Sequence, residues 1–291
     1  MRVHVTGASG FLGRHVVPRL IGDGHEVTAL VRSATAAGVV RELGAVPLPG
    51  DLDDPASVDE AFAASGADVL ANLASLGFGH APIVVSAAEE AGLRRAVFIS
   101  TTAIFTTLDA ASKKVRQAAE DTIRESTLDW TILRPTMIYG DAGDRNMARL
   151  LQLLRRTPVV PVPGGGRRLQ QPIHVEDLAA AVVAALCTPA AVGKAYDLAG
   201  PDPLSLRDVL QEAADAVGRP VRFVPVPLGP AVAGARLYER AARRPKLRAE
   251  QLERLGEDKA FDITPARRDL GFDPRPFGLG IRQEAVTVGR R

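Results

Sequence analysis

Three glycines at three-residue intervals, Gly7, Gly10 and Gly13 in HVTGASGFLGRHVVPRL, stand between a short β-branched run and an amphipathic helical pattern. Glycine is required where a turn is tight and where backbone must approach a phosphate; the free N–H groups at the helix start then face the anion. Because this loop opens a series of strand–helix units, Gly7, Ser9, Gly10, Phe11, Leu12 and Gly13 are predicted to cradle a pyrophosphate. Other chemistry is sparse. His4, His15 and His25 are dispersed without ligand spacing, so no metal site is predicted. No Gly-x-Ser-x-Gly elbow occurs. Cys187 is the single cysteine; it excludes an internal disulfide, fits a reducing cytoplasm and, in an alanine-rich helical context, reads as a packing residue.

Around that loop the first half of the chain alternates β-branched runs with helical patterns. Strands are predicted near Val3–Val5, Val27–Val31, Val46–Leu48, Val69–Leu73, Ala96–Ser100 and Trp130–Leu133, with helices near Leu12–Gly22, Ala36–Leu43, Val58–Ala63, Ile83–Ala91 and Ser112–Arg124. Strict alternation implies an α/β fold of the Rossmann type, a doubly wound parallel sheet with helices on both faces. Gly24, Gly44, Gly66 and Gly92 fall where helices should end. After about residue 135 the rhythm breaks and proline and glycine become frequent. The reading is a nucleotide-binding domain over residues 1–135, with segments around 170–200 returning to it, and a smaller, discontinuous substrate lobe in 136–291.

With 36 basic against 34 acidic residues the chain has a formal charge of +2, and its positive residues are scattered. A nucleic-acid partner is therefore not predicted. No run reaches 18 uncharged apolar residues, and no signal peptide is read at the start, so neither membrane span nor export is predicted and the expected location is cytoplasmic.

Several segments together resemble the extended and atypical short-chain dehydrogenase/reductase superfamily. The glycine loop is G-x-x-G-x-x-G preceded by Thr6. WTILRPTMIYG resembles the L-R-P-x-x-x-Y-G segment, QQPIHVEDLAAAV resembles the I/V-H-V-x-D-L/V-A segment, and FDITPARRDLGFDPRPF resembles the closing motif that packs the substrate lobe. The resemblance implies that Asp51 and Leu52 hold the adenine edge. The backbone of Leu73, Ala74 and Ser75, in ANLAS, would pass under the nicotinamide ribose, with Pro135 and Thr136 beside the nicotinamide. His174 and Asp177 are implied as structural anchors, and a homodimer through the fourth and fifth helices is plausible for the superfamily. At the end of the second strand Val31 stands where NAD-preferring members carry an acid, with Arg32 next; a cation there suits a 2′-phosphate, so NADP(H) is predicted over NAD(H).

The superfamily's fifth strand delivers a Ser or Thr, and its next helix a Tyr-x-x-x-Lys pair that moves the proton and binds ribose. Here Thr101 fills the hydroxyl position, but counting back from Glu120 puts Ser112 where Tyr would be and Arg116 where Lys would be. A one-residue slip would instead bring Lys113 or Lys114 to the cofactor. A serine hydroxyl cannot donate the proton without a relay, and an arginine cannot shuttle one. His80, in the short loop SLGFGHAP, is read either as the acid–base group working with Thr101 while Arg116 organises the cofactor, or as a partly exposed loop histidine. Asp141, Asp144 and Arg145 follow the sixth strand, and Arg145 with Asn146, or Arg167 with Arg168, meet an anionic substrate or are solvated charge. The resemblance thus implies an NADP(H)-dependent oxidoreductase acting on a carbonyl or carbinol small molecule such as a sugar nucleotide. The alternatives are a non-redox NADP-binding regulator or assembly protein like the NmrA-like proteins, an epimerase/dehydratase, or a lyase or cyclase on the same scaffold.

Overall fold

The computed structural model describes residues 1–108, 110–144, 146–242 and 249–289. The chain divides into two compact units, one of Met1–Pro135, Val175–Leu198 and Asp262–Asp273, the other of Thr136–His174, Ala199–Phe261 and Pro274–Arg291. The closing motif is split between them. Its stretch Asp262–Asp273 joins the first unit, where Asp269 accepts from Lys194 Nζ at 2.8 Å and from Tyr196 Oη at 2.9 Å, rather than packing wholly in the substrate lobe as the sequence implied.

In the first unit, strands and helices alternate as β1 (Arg2–Thr6), α1 (Gly13–Gly22), β2 (Glu26–Val31), α2 (Ala34–Glu42), β3 (Val46–Pro49), α3 (Pro55–Ser65), β4 (Val69–Asn72), α4 (Ala81–Glu90), β5 (Arg95–Ile99), α5 (Ala111–Glu125) and β6 (Asp129–Pro135). With Lys194–Leu198 at one edge, the sheet runs Lys194–Leu198, β6, β5, β4, β1, β2, β3, every pairing parallel. The order reverses beside β1: the chain goes outward to β2 and β3 and then returns to β4 on the other side. Open sheets of this kind bind ligands at that reversal, beyond the carboxyl ends of the strands.

Burial explains the order. Val3 and Val5 are fully buried on β1, and the alternate residue His4 turns its ring onto Phe62 of α3 at 4.6 Å. Below the sheet, Phe62, Leu70, Phe98, Ile123 and Ile132 form one cluster with α3, α4 and α5; each fully buried apolar side chain of this size contributes about 1.5–3 kcal/mol. Edge strand β3 carries Pro47 and Pro49, which withhold backbone donors and leave the edge unsuited to pairing with another chain. Gly24, Gly44, Gly66 and Gly92 all have positive φ, as helix ends in the left-handed conformation require. Cys187 ends the helix Val175–Cys187 and is exposed, so it is not a core packing residue: the helix buries Leu178, Val182 and Ala185 and turns Cys187 outward. Among the described residues no helix is long and apolar enough to cross a membrane.

The second unit gathers the helices Met147–Arg156, Leu206–Val217 and Phe277–Gly289 around Tyr139, Leu151, Leu154, Val209 and Ile281. Asp144 caps the first of these helices, accepting from the backbone N of Asn146 at 2.8 Å and of Ala148 at 3.0 Å. Arg145 lies outside the described residues. Tyr139 is fully buried with its hydroxyl donating to the Phe277 carbonyl at 3.4 Å, and His174 meets its ring edge-on at 5.2 Å. Arg168 pairs with Asp258 at 3.0 Å.

Candidate dinucleotide site

The glycine loop sits where β1 ends, and its shape leaves no room for side chains. Gly7 has φ +73°, and a Cβ there would lie 2.8 Å from Ala74 N and 2.9 Å from Leu73 C. A Cβ on Gly13 would meet the carbonyls of Gly7 and Ala8. The approach of β4 that makes this so crowded is built by Thr6: its Oγ1 donates to Asn72 Oδ1 at 2.6 Å and accepts from Ala74 N at 3.4 Å. Thr6 thereby locks the end of β1 to the segment Leu73, Ala74 and Ser75. Phe11 packs edge-on against His15 at 5.7 Å, and Leu12 is buried.

Above the loop lies a groove of about 460 Å³. Of the predicted cofactor residues, Gly7, Ser9, Arg32, Asp51, Leu52, Ala74 and Ser75 line it. Arg14, Ser33, Thr35, Asp53 and Phe78 line it as well, and the sequence reading had missed them. Arg14 was legible in principle, as the cation next to the last glycine; its Nε donates to the Ser9 carbonyl at 3.0 Å, on the first turn of α1. Ser33 caps α2, accepting from Ala36 N at 3.2 Å. The groove lining therefore includes two guanidinium groups, two hydroxyls and the N-terminus of α2, and no carboxylate stands at the end of β2. Asp51 and Asp53 line the groove as well.

His80 belongs to this groove. Its Nε2 bonds Asp53 Oδ1 at 2.8 Å, and no hydrogen bond links it to Thr101, whose own Oγ1 accepts from Ala103 N at 3.2 Å to cap the turn after β5. The two residues that the sequence reading joined for proton transfer are thus engaged separately. The turn Leu76–Phe78, closed by Gly79 at φ +85°, carries the chain to His80 at the start of α4, next to the loop after β3.

On α5, Ser112, Arg116 and Glu120 share one face at four-residue spacing. Arg116 Nη1 donates to the Ser112 carbonyl at 3.1 Å, and its guanidinium lies against Gly77, where a Cβ would be 2.9 Å from Nη2. Lys113 reaches the Thr106 carbonyl at 2.7 Å. Glu120, 1% exposed, accepts from Ser100 Oγ at 2.6 Å, from Arg134 Nε at 2.9 Å and Nη2 at 2.6 Å, and from Arg124 Nη2 at 2.6 Å. Burial pushes its carboxyl up, but Arg134, Ser100 and Arg124 outweigh that and hold it below the usual carboxylate range. Arg134 also stacks over Phe105 at 5.2 Å. Ser100, which follows β5 and precedes Thr101, and the second half of α5 are thus tied to one buried charge cluster.

Pro135 ends β6 and accepts from Thr102 Oγ1 at 3.4 Å, while Thr136, in the second unit, donates to the Gln171 carbonyl at 2.5 Å. His4 is buried with its pKa lowered to about 4 by burial, so it stays neutral in the core. His15 joins Glu176 at 2.5 Å, and His25 faces the N-terminal amine.

The family model described as NAD(P)H-binding matches residues 7–189. A protein named ceramide reductase, from Caulobacter vibrioides, is 35% identical over 239 residues, covering 77% of this chain and 73% of its own. A 4-hydroxy-2-methyl-3-oxo-4-farnesyl-3,4-dihydroquinoline-1-oxide ketoreductase from Stigmatella aurantiaca is 29% identical, covering 100% of this chain and 98% of its own. Among solved structures, the UDP-glucuronic acid 4-epimerase of Bacillus cereus in complex with NAD superposes with a TM-score of 0.75 at 17% identity, covering 100% and 99% of the two chains; that likeness shows the fold alone.

Proposed function

This chain belongs to the NAD(P)H-binding family and has the oxidoreductase/epimerase-type Rossmann fold; from that premise we propose that it is an NADP(H)-dependent reductase of ketones carrying a long apolar chain. The observation that carries the cofactor half is that Arg14 on α1 and Arg32, Ser33 and Thr35 around the start of α2 line one groove. Two guanidinium groups beside a helix N-terminus suit a ribose 2′-phosphate, and a carboxylate that would bond a free 2′-hydroxyl is absent from the end of β2. The crowding at Gly7 and Gly13 fits a pyrophosphate approaching bare backbone. The names of the two relatives, a ceramide reductase and a farnesyl-substrate ketoreductase, support the substrate class.

The glycine loop, Arg14 and Arg32 would hold a reduced nicotinamide dinucleotide, which would supply the hydride for the carbonyl carbon. Thr101 orients the carbonyl oxygen through its hydroxyl, and Arg116, permanently charged, holds the ribose side of the cofactor without moving protons. Ser112 passes a proton from solvent to the nascent alkoxide as one hydroxyl of a relay, because its own acidity is too low to supply it. His80, bound to Asp53, serves the nucleotide end. Turnover is tested by following NADPH absorbance with a long-chain 3-oxo ester; steady NADPH consumption that falls in Ser112→Ala supports the reading. Tight NADPH binding with no turnover on any carbonyl tried favours the second reading, a non-redox NADP-binding regulator or assembly protein, which the exchange of Tyr and Lys for Ser112 and Arg116 motivates.

A further inference from the structure

In the second unit the strands Val159–Pro163 and Arg222–Val226 pair in parallel as a two-stranded ribbon of their own. Their register sets Val159 beside Arg222, Pro161 beside Val224 and Pro163 beside Val226 on one face, and Val160 beside Phe223 on the other. The second face is the inner one, because Val160, Val162 and Phe223 are buried in the cluster around Leu151 and Val209. The first faces solvent: Val159 is 46% and Val224 37% exposed, Pro161 and Arg222 are exposed, and Pro163 and Val226 are half-buried. A strand with one solvated face ordinarily turns polar side chains outward, yet five of these six are apolar. Left in water, such a face forgoes the free energy that burial would give, and a contiguous apolar face with a polar rim marks a binding surface.

The rim is made of arginines. Arg222 lies on the face itself, Arg156 stands three residues before Val159 and Arg167 four residues after Pro163, and all three are exposed. Arg219, also exposed, donates to the Arg155 carbonyl at the end where both strands begin. The groove lined by Arg219 and Arg222 contains the carboxylate of Asp215, which accepts from Gln211 Nε2 at 2.9 Å. At the far end Asp258 is paired with Arg168 at 3.0 Å. Positive charge therefore prevails around the apolar face. Pro161, Pro163 and Pro225 carry no N–H, which makes the ribbon's edges poor templates for a strand added from a peptide or a second copy.

We propose that this face docks on an anionic lipid surface. The valines and prolines enter between the headgroups, while Arg156, Arg219, Arg222 and Arg167 meet lipid phosphates. Buried apolar area and attraction to anionic headgroups act together in such docking, and no membrane-crossing helix is needed for it. The inference goes beyond the ketone reading. A reductase of long-chain ketones would meet its substrate in a bilayer, but the docking stands on the ribbon alone.

The test is cosedimentation of the full chain with vesicles of phosphatidylcholine alone and of phosphatidylcholine mixed equally with phosphatidylglycerol, without cofactor or ketone. The wild type is expected to partition onto the mixed vesicles and far less onto phosphatidylcholine, and added salt should weaken the binding. Arg222→Glu should lower the partition coefficient on mixed vesicles by roughly tenfold or more, and Val224→Asp should lower it likewise. Val46→Asp, which changes an exposed valine of the first unit, should leave it unchanged. A wild type that stays in solution with both vesicles overturns the proposal, as does binding that neither ribbon variant weakens. A wild-type dimer in sedimentation velocity that Val224→Asp dissociates also overturns it, in favour of a second copy on the face. Unchanged circular dichroism melting of the variants assigns the losses to the surface. Since no turnover is measured, absence of ketone reduction would sink the reductase reading and leave this one standing.

Discussion

Replacing Glu120 by alanine is expected to destabilise the first unit by about 3–5 kcal/mol, the range for removing one partner from a buried ion pair. The figure follows from who is left behind. Arg134, with a side chain 13% exposed, loses both hydrogen bonds to Glu120 and keeps Asp197 only at 3.5 Å, while Ser100 loses its buried acceptor. Arg124 is 36% exposed and recovers solvation, so it adds little. At roughly 2–4 °C per kcal/mol the melting temperature should fall by about 6–20 °C. The pH dependence has a definite sign. Because the folded state holds the Glu120 carboxyl below its unfolded value of 4.5, its contribution is fully present above that value and is lost as pH falls through the lower folded value. Urea unfolding of wild type and Glu120→Ala from pH 8 to 4 should show a constant gap down to about pH 5 that then narrows. A variant within 1 kcal/mol of wild type at pH 7, or a gap that widens on acidification, would refute the reasoning.

Glu284, fully buried in the second unit, behaves in the opposite sense: burial first, then Asp144 and Asp141, raise its carboxyl to about 8 although Gly140 N donates to it at 2.9 Å. Its folded value lies above the unfolded one, so stability is lost as pH rises from 4.5 towards 8. Glu284→Gln, which mimics the protonated form, should be more stable than wild type by a margin that grows through that window and then levels off, read from melting temperatures across pH. Gly13→Ala, which forces a methyl against the carbonyls of Gly7 and Ala8, should abolish measurable dinucleotide binding in a fluorescence titration; retained affinity would show that the loop yields.

Much of this architecture was legible from local signals. The positive-φ glycines at helix ends and the β-branched runs placed the first six strands to within a few residues, because both report backbone conformations that few other residues adopt. Of the residues that line the groove, Gly7 was named from the glycine spacing and Arg32, Asp51 and Ala74 from the family resemblance at the ends of β2, β3 and β4. Long-range contacts were hidden. Arg14 looked like any helical surface residue until α1 was set against the groove, and Glu120 was a counting mark rather than the hub of a three-partner cluster. His80 was read with the nicotinamide end because its loop follows β4; the turn closed by Gly79 brings it to Asp53, a partner 27 residues away that no spacing rule connects to it.

The most direct test of the central claim is a pair of dissociation constants, NADPH against NADH, for wild type and Arg32→Ala. Charge-assisted hydrogen bonds to a 2′-phosphate at about 1.5–3 kcal/mol predict that wild type prefers NADPH by roughly 10- to 100-fold. The preference should collapse in Arg32→Ala with NADH affinity unchanged. Equal or tighter binding of NADH by the wild type would contradict the account.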